Sequence, residues 1–141
     1  MYRESDSSER PLLVVGLLDQ VIALDRRSGE VRWEHKMGSL GSAVELAIVG
    51  GRVFAVTASG YLHWFDYLDG ARLGNVKLRG AYTGRATMVV DGDHLFIASG
   101  GEIVCMDRDG NEVWFNGLEG KGIGPVALGF PGNVRQADLN R

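Results

Sequence analysis

The sequence predicts an all-β fold assembled from a repeated unit of about forty residues, and three features of the chain predict it. Glycine supplies 21 of the 141 residues, whereas proline occurs only three times. Short apolar segments alternate with glycine-containing turns, a pattern typical of chains with many short strands. An apolar segment that ends in aspartate and is followed by glycine occurs three times along the chain.

The repeat is defined by the spacing of its turn residues. Asp25, Asp66 and Asp107 are 41 residues apart, and the glycines that follow them are 41 and 40 residues apart: Gly29, Gly70 and Gly110. An aspartate at the end of a strand can accept hydrogen bonds from backbone N–H groups of the turn, and glycine can adopt the left-handed conformation there. These aspartates are therefore predicted to be structural turn residues rather than acid–base groups.

Further apolar segments complete each unit. One precedes the aspartate segment (residues 12–15, 53–56 and 95–98), one follows the glycine (31–35, 71–77 and 112–116), and one begins the later units (43–49 and 85–90). Four short antiparallel strands per unit predict a β-propeller with three four-stranded antiparallel blades. Residues 1–10 are predicted to be a flexible N-terminal segment, 11–132 the three-bladed unit and 133–141 a polar tail.

The segment VIALDRRSGEVRW at residues 21–33 resembles the PQQ-like (quinoprotein-type) propeller repeat. That pattern is a small residue, Leu, Asp, two or three residues, Thr or Ser, Gly, three residues and Trp. Residues 106–114 match it in a shortened form, whereas the middle copy has Gly74 in place of the tryptophan. The resemblance covers roughly residues 11–130 and implies that Trp33 and Trp114 dock adjacent blades, while Trp64 is expected in the core.

Three blades do not close a ring, because propellers typically contain four to eight. The first copy begins at its second strand, near Leu12, and the segment after Gly124 matches the start of a unit, as the segments after Gly41 and Gly84 do. We expect this last strand to complete the first blade of a second chain, so that a head-to-tail homodimer closes a six-bladed ring. The alternative is that the sequence is a piece of a longer propeller.

Charge and composition exclude several classes of partner. Lys and Arg total 15 against 18 Asp and Glu, with a net charge of −3. The mixed signs predict binding neither to nucleic acid nor to an anionic membrane. The N-terminus lacks an apolar signal region, and the single cysteine, Cys105, cannot form an internal disulfide. Both features favour a cytoplasmic location.

The residues that carry chemistry form no catalytic pattern. His35, His63 and His94 lack metal-ligand spacing, and no nucleophile, phosphate-binding or paired-carboxylate motif occurs. Quinone-dependent dehydrogenases resemble these blades but carry adjacent cysteines, which a chain with one cysteine lacks. The sequence therefore predicts a protein that is not an enzyme, with no catalytic residues, no metal and no cofactor.

The loops that join one blade to the next are the predicted binding face. They span residues 36–42, 78–85 and 118–125, and the middle loop carries Arg79, Tyr82 and Arg85, residue types enriched at binding hot spots. The predicted function is a protein-interaction or scaffold module whose protein partner is unknown. The alternatives are a propeller that binds small ligands or carbohydrates in repeated pockets, and a fragment of a quinone-dependent dehydrogenase.

Overall fold

The computed structural model describes residues 9–39, 41–82 and 85–137, and thirteen β-strands lie within these ranges. Residues 1–8, Leu40, Thr83, Gly84 and 138–141 are outside the described residues, so most of the predicted N-terminal segment and the end of the predicted tail fall there. The strands are β1 (Leu12–Leu17), β2 (Gln20–Asp25), β3 (Val31–Lys36), β4 (Val44–Val49), β5 (Arg52–Thr57), β6 (Tyr61–Asp66), β7 (Arg72–Lys77), β8 (Thr87–Asp91), β9 (His94–Ser99), β10 (Glu102–Asp107), β11 (Glu112–Asn116), β12 (Leu128–Phe130) and β13 (Asn133–Arg135).

The strands form four antiparallel sheets in chain order. β4–β7 and β8–β11 are four-stranded blades, β1–β3 is a three-stranded blade, and β12 pairs with β13 alone. Within the described residues the first blade has no inner strand, and its three strands correspond to the second, third and outer strands of the four-stranded blades. The all-β prediction and the repeated blade are confirmed, and the arrangement is that of a partial propeller. We refer to β1–β3, β4–β7 and β8–β11 as blades 1, 2 and 3.

The middle blade is buried on both faces. Alternate side chains of β5 enter two separate cores: Val53 and Ala55 pack toward blade 1, whereas Phe54 and Val56 pack toward blade 3. All four are essentially inaccessible to solvent. A strand covered on both faces must be apolar at consecutive positions, which explains the unbroken apolar run of β5.

The repeated aspartates end β2, β6 and β10, the strand next to the outer strand in each blade, and organise the turn that follows. Asp25, Asp66 and Asp107 each accept a hydrogen bond from the backbone amide two residues on, and a second from the amide three or four residues on. These hydrogen bonds lower the pKa of all three carboxyl groups, and at Asp25 the largest contribution comes from Arg32, 2.8 Å away. Each turn ends at a left-handed glycine, with φ of 76° at Gly70.

Blades 1 and 2 are joined by Trp33. Its indole packs on Gly70, where an added Cβ would be 2.5 Å from ring atoms, and its Nε1 donates to the carbonyl of Tyr67 at 2.9 Å. The Tyr67 hydroxyl in turn accepts from the amide of Leu12 at 2.9 Å and donates to the carbonyl of the same residue at 2.8 Å. Residues of the turn in blade 2 are thus bound to both the outer strand and the second strand of blade 1.

Blades 2 and 3 are joined by a tryptophan from a different strand. Gly74 occupies the outer-strand position that Trp33 and Trp114 occupy in the other blades, and Trp64, its cross-strand partner on β6, lies over it. The same indole reaches Gly110 of blade 3, where an added Cβ would be 2.4 Å from it. Trp64 therefore makes the contact between blades that a tryptophan at position 74 would make if the middle copy followed the repeat pattern.

The three blades share a cross-strand rule. In each blade the outer strand and the strand next to it place one tryptophan opposite one small residue. The pairs are Ala23 with Trp33, Trp64 with Gly74, and Cys105 with Trp114. A single indole occupies this position at each of the two interfaces between the three blades, as expected of a closely packed interior. The tryptophan can therefore stand on either strand.

The C-terminal segment differs from the predicted tail. Asn133–Arg135 forms β13, which pairs with β12 through a two-residue turn that has Gly132 at φ 76°. The side-chain amide of Asn133 donates to the carbonyl of Val90 at 2.7 Å, and Arg135 binds Glu45 at 2.7 Å. These polar side chains form a strand because their partners lie on blades 2 and 3, which the sequence pattern alone does not show.

We expect Trp64→Ala to lower the free energy of unfolding by about 3–5 kcal/mol, since a buried indole is lost and a cavity remains. The double variant Trp64→Ala/Gly74→Trp should recover a large part of this loss, because it recreates the arrangement of blade 1. Denaturant unfolding of both variants measures the difference. A double variant no more stable than Trp64→Ala would contradict the cross-strand rule.

The lowered pKa values of the turn aspartates predict acid sensitivity. Their folded-state pKa lies below that of an unfolded aspartate, about 3.9, so their stabilisation is present above that pH and is lost as pH falls through the folded-state value. We expect the denaturation midpoint to fall between about pH 5 and about pH 2, and Asp25→Asn to show a smaller fall than the wild type. Asp93→Asn, which changes an exposed carboxylate outside these turns, is the matched control and should keep the wild-type profile.

Candidate functional site

Two rims of the blades carry the connecting loops. Because the strands are antiparallel and consecutive, one rim holds the blade-to-blade loops together with the turns β1–β2, β5–β6 and β9–β10. The opposite rim holds the remaining turns, including those after the repeated aspartates. The predicted binding face corresponds to the first of these rims.

A cavity of about 400 Å³ opens on this rim between the β7–β8 loop, the β9–β10 turn and the β11–β12 loop. We call it the loop groove, and its lining residues are Ala81, Gly100, Glu102, Gly117, Leu118, Glu119, Gly120, Gly122 and Ile123. Four of the nine are glycines, so much of the wall is backbone. The side chains that remain are two carboxylates and a few apolar groups, with Ile123 87% exposed.

Local contacts hold the walls of the loop groove in place. Glu102 accepts a hydrogen bond from the amide of Ala81 at 2.7 Å, which attaches the β7–β8 loop to β10. Gly101, at φ 91°, lies against the other loop, and an added Cβ would be 2.6 Å from the carbonyl oxygen of Gly122. The approach of the two chain segments therefore requires glycine at position 101.

Two of the predicted binding residues connect blades. The guanidinium of Arg79 binds Glu112 at 2.6 Å and lies 4.7 Å from the ring centre of Phe115. The ion pair raises the pKa of Arg79 and lowers that of Glu112. Tyr82 packs on Gly60, and burial, with a smaller effect of the Glu102 charge, raises the pKa of its hydroxyl.

Arg85, the third predicted binding residue, lies in another part of the rim. It lines a cavity of about 170 Å³ together with Glu45 and Arg135, near the inner strands. Neither Arg79 nor Tyr82 lines that cavity or the loop groove. The structure therefore does not bring the three predicted residues to one cavity, and their role in binding stays a prediction.

Asp19 is a structural residue of this rim that the sequence reasoning missed. It is buried in the β1–β2 turn at φ 62°, and its Oδ2 accepts hydrogen bonds from the amides of Gly41 at 2.8 Å and Ser42 at 3.3 Å. It thereby holds the β3–β4 loop against blade 1. The available signal was an aspartate in a two-residue turn between apolar strands, since aspartate tolerates the left-handed conformation.

The opposite rim has cavities at two successive blade boundaries, and their linings differ. One of about 370 Å³ is lined by Arg52, Asp93, Asp107, Arg108 and Asp109. The other, of about 300 Å³, is lined by Pro11, Leu12, Asp25, Arg32, Trp33, Leu68 and Asp69. The first is strongly charged and the second is partly apolar, so the same chemical pocket is not repeated from blade to blade.

The histidines and the cysteine belong to strands. His35 stacks on Phe65 with 4.7 Å between ring centres, and burial, followed by the charge of Arg72, lowers the pKa of His63. Cys105 is buried, which raises the pKa of its thiol. Over the described residues, no group of three or more His, Cys, Asp or Glu side chains is arranged to hold a metal ion. Within the same ranges there is no helix of the length and apolarity needed to cross a bilayer.

Comparison with known proteins identifies similar chains. The model of the family described as outer membrane protein assembly factor BamB matches residues 6–122. The crystal structure of BamB from Moraxella catarrhalis is 28% identical, with a TM-score of 0.59 over 75% of this chain and 33% of that one. No curated protein matches the sequence.

Two further solved structures share the fold at lower identity. The computationally designed Ika8 protein is 18% identical with a TM-score of 0.70, over 89% of this chain and 42% of that one. A europium-containing methanol dehydrogenase is 19% identical with a TM-score of 0.59, over 74% of this chain and 23% of that one. The chain thus spans less than half the length of each of the three structures.

The contacts of Tyr82 predict that its ring stabilises the fold. We expect Tyr82→Ala to lower the free energy of unfolding by about 2–4 kcal/mol, because a large, mostly buried side chain is removed. Tyr82→Phe keeps the ring against Gly60 and should stay within about 1 kcal/mol of the wild type. Chemical denaturation distinguishes the two, and equal, negligible effects of both variants would contradict a packing role.

Proposed function

We propose that this chain, which belongs to the PQQ-like β-propeller repeat family whose model is described as outer membrane protein assembly factor BamB, is a protein-interaction scaffold. Its docking site is the loop groove, its ligand is an extended segment of a partner protein, and it carries out no reaction. The family match supports the scaffold role. The lining of the loop groove supports the position of the docking site.

The backbone-rich lining of the loop groove is the observation that carries this proposal. Glycines leave peptide N–H and C=O groups accessible along the wall, and extended peptides bind through main-chain hydrogen bonds with side-chain pockets for specificity. The exposed side chain of Ile123 offers an apolar contact at the edge. Small-ligand sites are typically more enclosed than this open groove.

The carboxylates define the chemistry of the partner segment. Glu102 and Glu119 both line the loop groove, and Glu119 is solvent-exposed. A lysine or arginine of the partner placed between them gains a charge-assisted hydrogen bond. The preferred ligand is therefore an extended peptide that combines an apolar residue with a basic one.

A peptide-display selection on the immobilised chain tests this function. We expect enrichment of peptides with basic and apolar residues, and at least a tenfold loss of affinity for them in Glu119→Lys and in Ile123→Ser, measured by fluorescence polarisation. Glu34→Lys and Leu73→Ser change exposed residues of the outer strands and are the matched controls. They should bind the selected peptides as the wild type does.

Two results would overturn the assignment. One is a selection without enrichment. The other is enriched peptides whose affinity is the same for the wild type and both loop-groove variants, since binding would then occur elsewhere on the molecule.

A further inference from the structure

We propose that the open sides of blades 1 and 3 bind each other between two copies of the chain, with Trp114 of one copy docked on Gly29 of the other. The occupant of each open side is thus a second copy of this chain. The inference does not rest on the proposed function, because the loop groove takes no part in it.

The glycine half of this contact is uncovered in blade 1. Gly70 and Gly110 each lie beneath an indole of the preceding blade, Trp33 and Trp64 respectively. Gly29 occupies the same turn position at a similar φ of 77°, yet no atom of the described residues lies within 4 Å of the place its Cβ would take. Blade 1 therefore presents a docking position of the same geometry with nothing on it.

The tryptophan half is uncovered in blade 3. Trp33 and Trp64 are 9% and 8% exposed, whereas Trp114 is 44% exposed. The ring of Trp114 is held by Phe96, 6.0 Å away between ring centres, so it is presented from a packed surface. A large exposed aromatic group at a packed surface is typical of an interface anchor.

The apolar side of blade 1 is also uncovered. Leu13 occupies the strand position of Val53 and Leu95 in the other blades, as the register with the third strands shows. Val53 and Leu95 are both 0% exposed, but Leu13 is 59% exposed because no described residue covers that side of blade 1. The surface that the other two blades bury against a preceding blade is therefore open here.

The strands complement each other in the same way. Within the described residues blade 1 has no inner strand, and β12 pairs with β13 alone. Pairing of β1 from a second copy with β12 makes a four-stranded blade of β12 and β1–β3. In that blade β1 takes the place of β13, and its six residues replace three.

Two such contacts close a ring. Each copy uses its blade 1 and its blade 3 once, so the interface is heterologous and two copies satisfy both. The ring then has six blades, within the four to eight that propellers contain. The interface repeats the contacts that already join blades 1, 2 and 3 within one chain, which is why a second copy fits it.

Sedimentation velocity of the full chain over a range of concentrations tests the inference. We expect a reversible dimer, with Trp114→Ala and Gly29→Asn each weakening it by at least thirtyfold, the loss typical of an anchor residue worth about 2 kcal/mol. Asparagine is chosen because it tolerates the left-handed conformation while covering the docking position. Leu73→Ala, at an exposed site of β7, is the control and should dimerise as the wild type does.

A mixture of the Trp114→Ala and Gly29→Asn variants tests the proposed contact most directly. Each retains the half-site that the other has lost, so the mixture should form a heterodimer with one intact contact and bind more tightly than either variant alone. Unchanged thermal unfolding of the isolated variants shows that they fold. A wild type that stays monomeric at every concentration overturns the inference and assigns the open sides to blades of a longer polypeptide, and a mixture no tighter than its components overturns the Trp114–Gly29 contact.

Discussion

The structure depends on the contact between an indole ring of one blade and a turn glycine of the next. A side chain at the glycine would hold the blades apart, and without the indole the space between them would be empty. The glycine is held in position by the aspartate that ends the preceding strand, through hydrogen bonds to the turn amides. Turn chemistry, blade spacing and the shape of the loop rim are therefore linked through the same few residues.

The fold could be predicted from the sequence because its determinants are local and periodic. Strand, aspartate turn and left-handed glycine follow one another within a few residues, so the spacing of Asp25, Asp66 and Asp107 is sufficient to define the blades. The exchange between Trp64 and Gly74 was not predictable in this way. The two residues face each other on neighbouring strands. The repeat pattern compares positions along the chain, so it shows only that position 74 lacks a tryptophan.

The candidate site was predicted less well than the fold, for a physical reason. The sequence indicates which loops share a rim, but not which side chains are already engaged. Arg79 binds Glu112, 33 residues away, and Tyr82 fills space next to Gly60. Four of the nine residues that line the loop groove are glycines, so it carries few side chains from which a site could be inferred.

The pairing of one tryptophan with one small residue also limits how such repeats can be copied and recombined. If the outer strand of blade 2 replaced that of blade 1, Gly74 would face Ala23 and leave a void, whereas the reverse exchange would set Trp33 against Trp64. A viable crossover must carry the third and outer strands together. The smallest unit that can be exchanged between blades is thus the hairpin formed by these two strands, and not a single strand or a single aligned position.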